Sequence, residues 1–128
     1  MKLDPIIGVE SVRESAQWYQ NVFACRSAHG GDEFDILISN SDDVLLCLHK
    51  WGAHDHPTLM RKSNAPGNGL ILYFRVRNLE EIRERLRKMT YDVEQEIILN
   101  ANSNKMECSV MDPDGYLLII SEYHTYQG

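Results

Sequence analysis

The sequence predicts an α+β fold built from two βαβββ modules, and three observations carry that expectation. The first is the stretch Gly67 to Met89, which reads as a glycine turn, a strand and a helix in direct succession. The second is a copy of this unit near the N-terminus, at an offset of 67 residues. The third is that each helix is followed by three short strand-like segments separated by polar turns.

In the first of these, Leu70 to Phe74 are five consecutive apolar residues, as expected of a strand covered on both faces. Asn78 with Glu81 forms a capping box, and Leu79, Ile82, Leu86 and Met89 then recur at spacings of three and four. Glu80 and Glu81 stand near the positive end of this helix, and Arg85, Arg87 and Lys88 near the negative end.

At the N-terminus, Asp4 to Val9 reads as a strand and Ser11 with Glu14 as a second capping box. Val12, Ser15 or Ala16, Tyr19, Val22 and Phe23 form the expected buried stripe, with Trp18 and Tyr19 read as helix packing. Val9 to Glu14 aligns with Val76 to Glu81, so strand end, cap, first buried position and box acid coincide. Cys25 to Gly31, Phe34 to Ser39 and Val44 to Lys50 read as strands of the first module. Tyr91 to Leu99, Lys105 to Met111 and Tyr116 to Glu122 read as those of the second. Asp112-Pro113-Asp114-Gly115 has the composition of a tight turn.

Module one is expected over 1–50, a linker over 51–68 and module two over 69–128, all within a single domain at 1–128. Each module alone has too little core, so the two should share one. Strand alternation places Leu72, Phe74 and Val76 against the second helix, and Ile71, Tyr73 and Arg75 on the opposite face. Ile7 and Val9 likewise face the first helix, while Asp4, Ile6 and Gly8 face away. A curved mixed sheet with helices outside would enclose a cavity lined by the second set.

Composition excludes several classes of function. With 43% hydrophobic residues, the 128-residue chain has the makings of a packed core. Its formal net charge of −6 argues against nucleic-acid binding, which needs a clustered surplus of Lys and Arg. No apolar run is long enough for a membrane span, and the N-terminus lacks the apolar segment of a signal peptide. Cys25, Cys47 and Cys108 are odd in number and widely spaced, which reads as reduced thiols in a cytoplasmic protein. Gly67-Asn68-Gly69 precedes a strand, so it is a turn and not a nucleotide-binding fingerprint.

The double module resembles the vicinal oxygen chelate superfamily, which includes glyoxalase I, extradiol dioxygenases, and fosfomycin- and bleomycin-resistance proteins. The residues carrying the resemblance are Val9 to Ser15 with Trp18-Tyr19, Leu48-His49-Lys50-Trp51-Gly52, Gly67-Asn68-Gly69, and Asp112 to Tyr116. It spans essentially the whole chain and implies the double-module fold and a homodimer. Enzymes of the superfamily hold a divalent metal through four strand side chains. Carried onto this sequence, those positions are Asp4, Leu46, Ile71 and Ile119, of which only Asp4 has a lone pair to give. The resemblance thus implies a protein without the usual metal and its chemistry, and no cofactor is expected.

The expected function is that of a binding protein similar to the bleomycin-resistance group, taking a small, largely apolar or aromatic molecule. Its pocket would be lined by Asp4, Ile6, Leu46, Leu48, Trp51, Ile71, Tyr73, Arg75 and Ile119. Burying about 300 Å² of apolar ligand surface contributes roughly 7 kcal/mol before the cost of association. Trp51 reads equally as a stacking platform or as a core aromatic. Arg75 reads as an anion partner, or as paired with Asp4 or Glu107. The alternative is a metal-dependent lyase or dioxygenase with a displaced metal site at His49, His54 and His56, helped by Asp55. As loop residues these three otherwise read as ordinary solvated histidines, and His29 and His124 as surface residues.

Overall fold

The computed structural model describes residues 2–54, 56–62 and 65–125. The chain divides into two compact units, Met1–Pro66 and Gly67–Gly128, each a βαβββ module. The segment after residue 50 is part of the first unit, and Gly52 N–H donates to the Leu59 carbonyl at 2.7 Å.

In the first unit, β1 (Ile6–Val9), α1 (Val12–Phe23), β2 (Arg26–Ser27), β3 (Phe34–Ile38) and β4 (Val44–Lys50) form a four-stranded sheet of order β1-β4-β3-β2. The β1–β4 pair is parallel, which requires a crossover connection, and α1 lies within it. Ser11 caps α1 by accepting from Glu14 N–H at 3.2 Å, and Ala24 ends it in the left-handed region. Val12, Ser15, Ala16, Trp18, Tyr19 and Val22 are its buried residues. Phe23, expected in that stripe, is half-buried.

The second unit repeats the plan with β5 (Ile71–Val76), α2 (Leu79–Lys88), β6 (Gln95–Asn100), β7 (Lys105–Met111) and β8 (Leu117–Glu122), in the order β5-β8-β7-β6. Leu79, Ile82 and Leu86 are the buried stripe of α2. The Asn78 capping box closes differently from the Ser11 one. Asn78 Nδ2 donates to Glu81 Oε2 at 3.1 Å, and its side chain accepts no backbone N–H. In the turn after β7, Asp112 Oδ1 accepts from the backbone N–H groups of Asp114 and Tyr116, both at 2.9 Å. Gly115 supplies the positive φ of 89° that this turn requires.

Several strands are shorter than the sequence suggests: β1 begins at Ile6 rather than Asp4, β3 ends at Ile38, β8 begins at Leu117, and β2 and β6 differ most. Of Cys25 to Gly31 only Arg26–Ser27 pairs, and β6 begins at Gln95 rather than Tyr91. Tyr91 instead donates its hydroxyl to the Met111 carbonyl at 2.7 Å. All three cysteines are free and buried. Among the described residues no helix is long and apolar enough to cross a membrane.

Candidate functional site

Each sheet has a face packed by its helix and a face without one. In the second unit, the parallel register sets Tyr73 opposite Ile119 and Arg75 opposite Ser121, and antiparallel pairing adds Glu107 and Ser109 to the same face. Leu72, Leu118, Ile120, Cys108 and Val110 occupy the other face and are buried. On the helix-free face Ile71 is 54% exposed and Tyr73 38%, while Ile119 is half-buried. The apolar run that reads as a strand covered on both faces is thus covered on one.

Arg75 belongs to this face. Its Nη1 donates to the His124 carbonyl at 2.7 Å, and its guanidinium carbon lies 5.5 Å from the Tyr123 ring centroid. Glu107 accepts from Asn100 Nδ2 at 3.0 Å through Oε1, and its Oε2 is buried with no hydrogen-bond partner.

In the first unit, β1 pairs Ile6 with Cys47 and Gly8 with His49, which fixes the helix-free face as Ile6, Gly8, Cys47 and His49. Ile6 is 50% exposed. Leu46 and Leu48 are a correction to the expected lining. Both are fully buried and share the helix side with Ile7, Val9 and Leu37. The physical reason is parity: counting back from Trp51-Gly52 slips by one residue, and one residue exchanges strand faces. The 67-residue offset pairs Ile6 with Tyr73, so the residue matching Ile119 is Cys47.

The four superfamily positions therefore carry Asp4, Cys47, Ile71 and Ile119. Asp4 is exposed, just before β1. Burial, with the charges of Asp4 and Asp35, pushes the Cys47 thiol up. Ile71 and Ile119 have no donor atom. A divalent cation needs about three protein ligands, so these residues do not fit one at those positions.

Trp51 is half-buried and packs on β1. A Cβ built at Gly8 would lie 2.5 Å from its Cζ2, so the indole sits where any other side chain would go.

The three linker-side histidines come together. His49 is buried, and its Nδ1 donates to the Lys50 carbonyl at 2.8 Å. Its Nε2 lies 3.0 Å from His54 Nδ1, and His54 Nε2 is 3.6 Å from Glu33 Oε2. His56 places its ring centroid 4.9 Å from that of His49. Asp55 lies outside the described residues. His29 is exposed and His124 half-buried.

Sequence reading misses Asp35. Its side chain is buried on the helix side of β3 and accepts from Ser27 Oγ at 2.6 Å and from the N–H groups of Gly30, Ile36 and His29 at 2.7, 2.8 and 3.2 Å. Burial alone would raise its pKa, but these donors outweigh it and hold the carboxyl below its ordinary value. The signal was its alternation with Leu37, a core position.

No protein-family model matches the sequence, and no curated protein matches it. Solved structures do match along nearly the whole chain. A virulence protein from Salmonella typhimurium superposes with a TM-score of 0.72 at 18% identity, covering 97% of this chain and 98% of that one. The bleomycin resistance determinant encoded on the transposon Tn5 gives 0.69 at 15% identity, covering 98% and 99%. TioX from Micromonospora sp. ML1 gives 0.71 at 13% identity, covering 96% and 100%. At such identities the likeness shows the fold alone, and that fold is consistent with the vicinal oxygen chelate resemblance read from the sequence.

Proposed function

We propose that this chain binds a small, largely apolar or aromatic molecule against the helix-free face of its second sheet. It does so without a metal ion at the superfamily's four strand positions. One observation carries this reading. Ile71 and Tyr73 belong to the apolar run Leu70 to Phe74, yet both are exposed beside Ile119 on a face that α2 does not pack. Exposed apolar surface at adjacent sheet positions favours an apolar occupant.

Charged and polar groups edge the same face. Arg75 stands two residues beyond Tyr73, and Glu107 pairs with Ser121, which is buried opposite Arg75. A flat ligand with one polar end fits that gradient. One structural neighbour is by name a bleomycin resistance determinant, and sequestration of a drug-like molecule is part of the same proposal. So are a homodimer, which light scattering would detect, and a cytoplasmic setting, which suits three free thiols.

The test is a titration with the neutral fluorescent probe N-phenylnaphthylamine, with bleomycin as a second ligand. The expected result is saturable micromolar binding of the probe, weakened about tenfold or more by Ile71→Glu with Tm unchanged. Absence of saturable binding, or equal binding by the variant, would overturn the proposal.

A further inference from the structure

We propose that His49, His54 and His56 form a binding site for one divalent transition-metal ion of the zinc type, separate from the sheet face described above. The reasoning starts from His49, the last but one residue of β4, whose side chain is 2% exposed. Its Nδ1 faces a carbonyl oxygen, which can only accept, so that nitrogen carries the proton. In the neutral ring Nε2 then holds the lone pair, which accepts a hydrogen bond from His54 Nδ1 at 3.0 Å that an ion would replace. A metal-ligating histidine is ordinarily held in this way, with one ring nitrogen donating to a carbonyl and the other turned to the ion.

That lone pair is turned toward the two other imidazoles. One ligand atom from each of the three rings lies within 4.8 Å of the others. Tetrahedral zinc with Zn–N bonds of ~2.05 Å places its nitrogens about 3.3 Å apart. The 3.0 Å separation of His49 Nε2 and His54 Nδ1 is close to that value. The remaining closure falls on His54 and His56, both exposed and free to turn. Glu33 Oε2, 3.6 Å from His54 Nε2, stands beside the ring nitrogen turned away from the ion, where a ligand histidine takes a carboxylate partner, and water completes the shell.

The backbone favours the same reading. His54 has a φ of 59°, in the left-handed region that most side chains avoid. This conformation brings its ring back to His49 across a short loop. Three imidazoles with a water suit zinc, nickel or copper and do not suit calcium or magnesium, which prefer all-oxygen shells. The ion would tie the segment after Lys50 to the end of β4.

The experiment uses the full chain without a histidine tag, loaded with zinc and freed of excess metal. Elemental analysis should give one zinc per chain, and added zinc should raise Tm. His54→Ala and His56→Ala should each weaken zinc binding about tenfold to a hundredfold, as measured by competition with a chelator, and the double variant should abolish it. Both positions are exposed, so circular dichroism of the variants should match wild type. His29→Ala and His124→Ala should bind zinc as wild type does. Cobalt substitution should give a tetrahedral visible spectrum with no thiolate charge-transfer band. Failure of the wild-type chain to take up zinc, or undiminished uptake by the double variant, would overturn the assignment.

Discussion

Trp51 sits on Gly8 so closely that a single methyl group at residue 8 would approach the indole Cζ2 to 2.5 Å. Backbone pairing supports the contact, since Trp51 N–H donates to the Val9 carbonyl at 3.3 Å. The absence of a side chain at Gly8 is what lets the ring lie against β1.

Gly8→Val should therefore displace the indole. Overpacking of this kind costs about 1–3 kcal/mol, and the displaced ring should shift its fluorescence emission. Urea unfolding monitored by far-UV circular dichroism gives the stability change, and emission spectra of the native variant report the ring. A variant with wild-type stability and emission would mean that the contact is unimportant.

The Asp35 carboxylate accepts four hydrogen bonds, from one hydroxyl and three amide donors. Asp35→Ala would leave those donors without their acceptor and open space beneath α1. A loss of about 2–4 kcal/mol is expected from unsatisfied buried donors. Because its folded pKa lies below 3.8, the contribution is complete above that value and is lost as pH falls through the folded one. Urea titrations of wild type and variant at neutral and acid pH would check both statements.

Glu96 and Arg83 form a two-pronged ion pair, with Nε and Nη2 donating at 2.6 and 2.9 Å. The hydrogen bonds from Arg83 outweigh burial and take the Glu96 carboxyl from 4.5 to about 2. A depressed acid stabilises the fold above its unfolded pKa and ceases to do so as pH falls through the folded one. Glu96→Gln should accordingly lower Tm at neutral pH, with the difference shrinking between pH 4.5 and about 2. A constant difference across that range would contradict the assignment.

Much of the fold was legible because it depends on local chemistry repeated twice. Ser11 with Glu14 and Asn78 with Glu81 marked both helix starts, and β4 and β7 begin and end where the alternation and turns place them. The strands most misjudged in length are β2 and β6, whose pairing in the sheet their own residues do not dictate. The candidate site was less legible. Leu46 and Cys47 differ by one residue, and a count from Trp51 does not fix which faces Ile6; the β1–β4 register does. The histidine cluster depends on the path of the chain after Lys50, including the left-handed turn at His54, which spacing alone does not encode. Asp35 was hidden because a charged residue in a short strand is normally assigned to solvent.

The central claim is that the helix-free face of the second sheet receives an apolar ligand, and methyl NMR tests it most directly. In protein carrying ¹³C-labelled isoleucine methyls, N-phenylnaphthylamine should shift the Ile71 and Ile119 resonances saturably while leaving in place those of Ile82, on the buried side of α2, and Ile120, on the helix side of β8. Saturable binding that moves only methyls on the helix side, or none at all, would contradict the account.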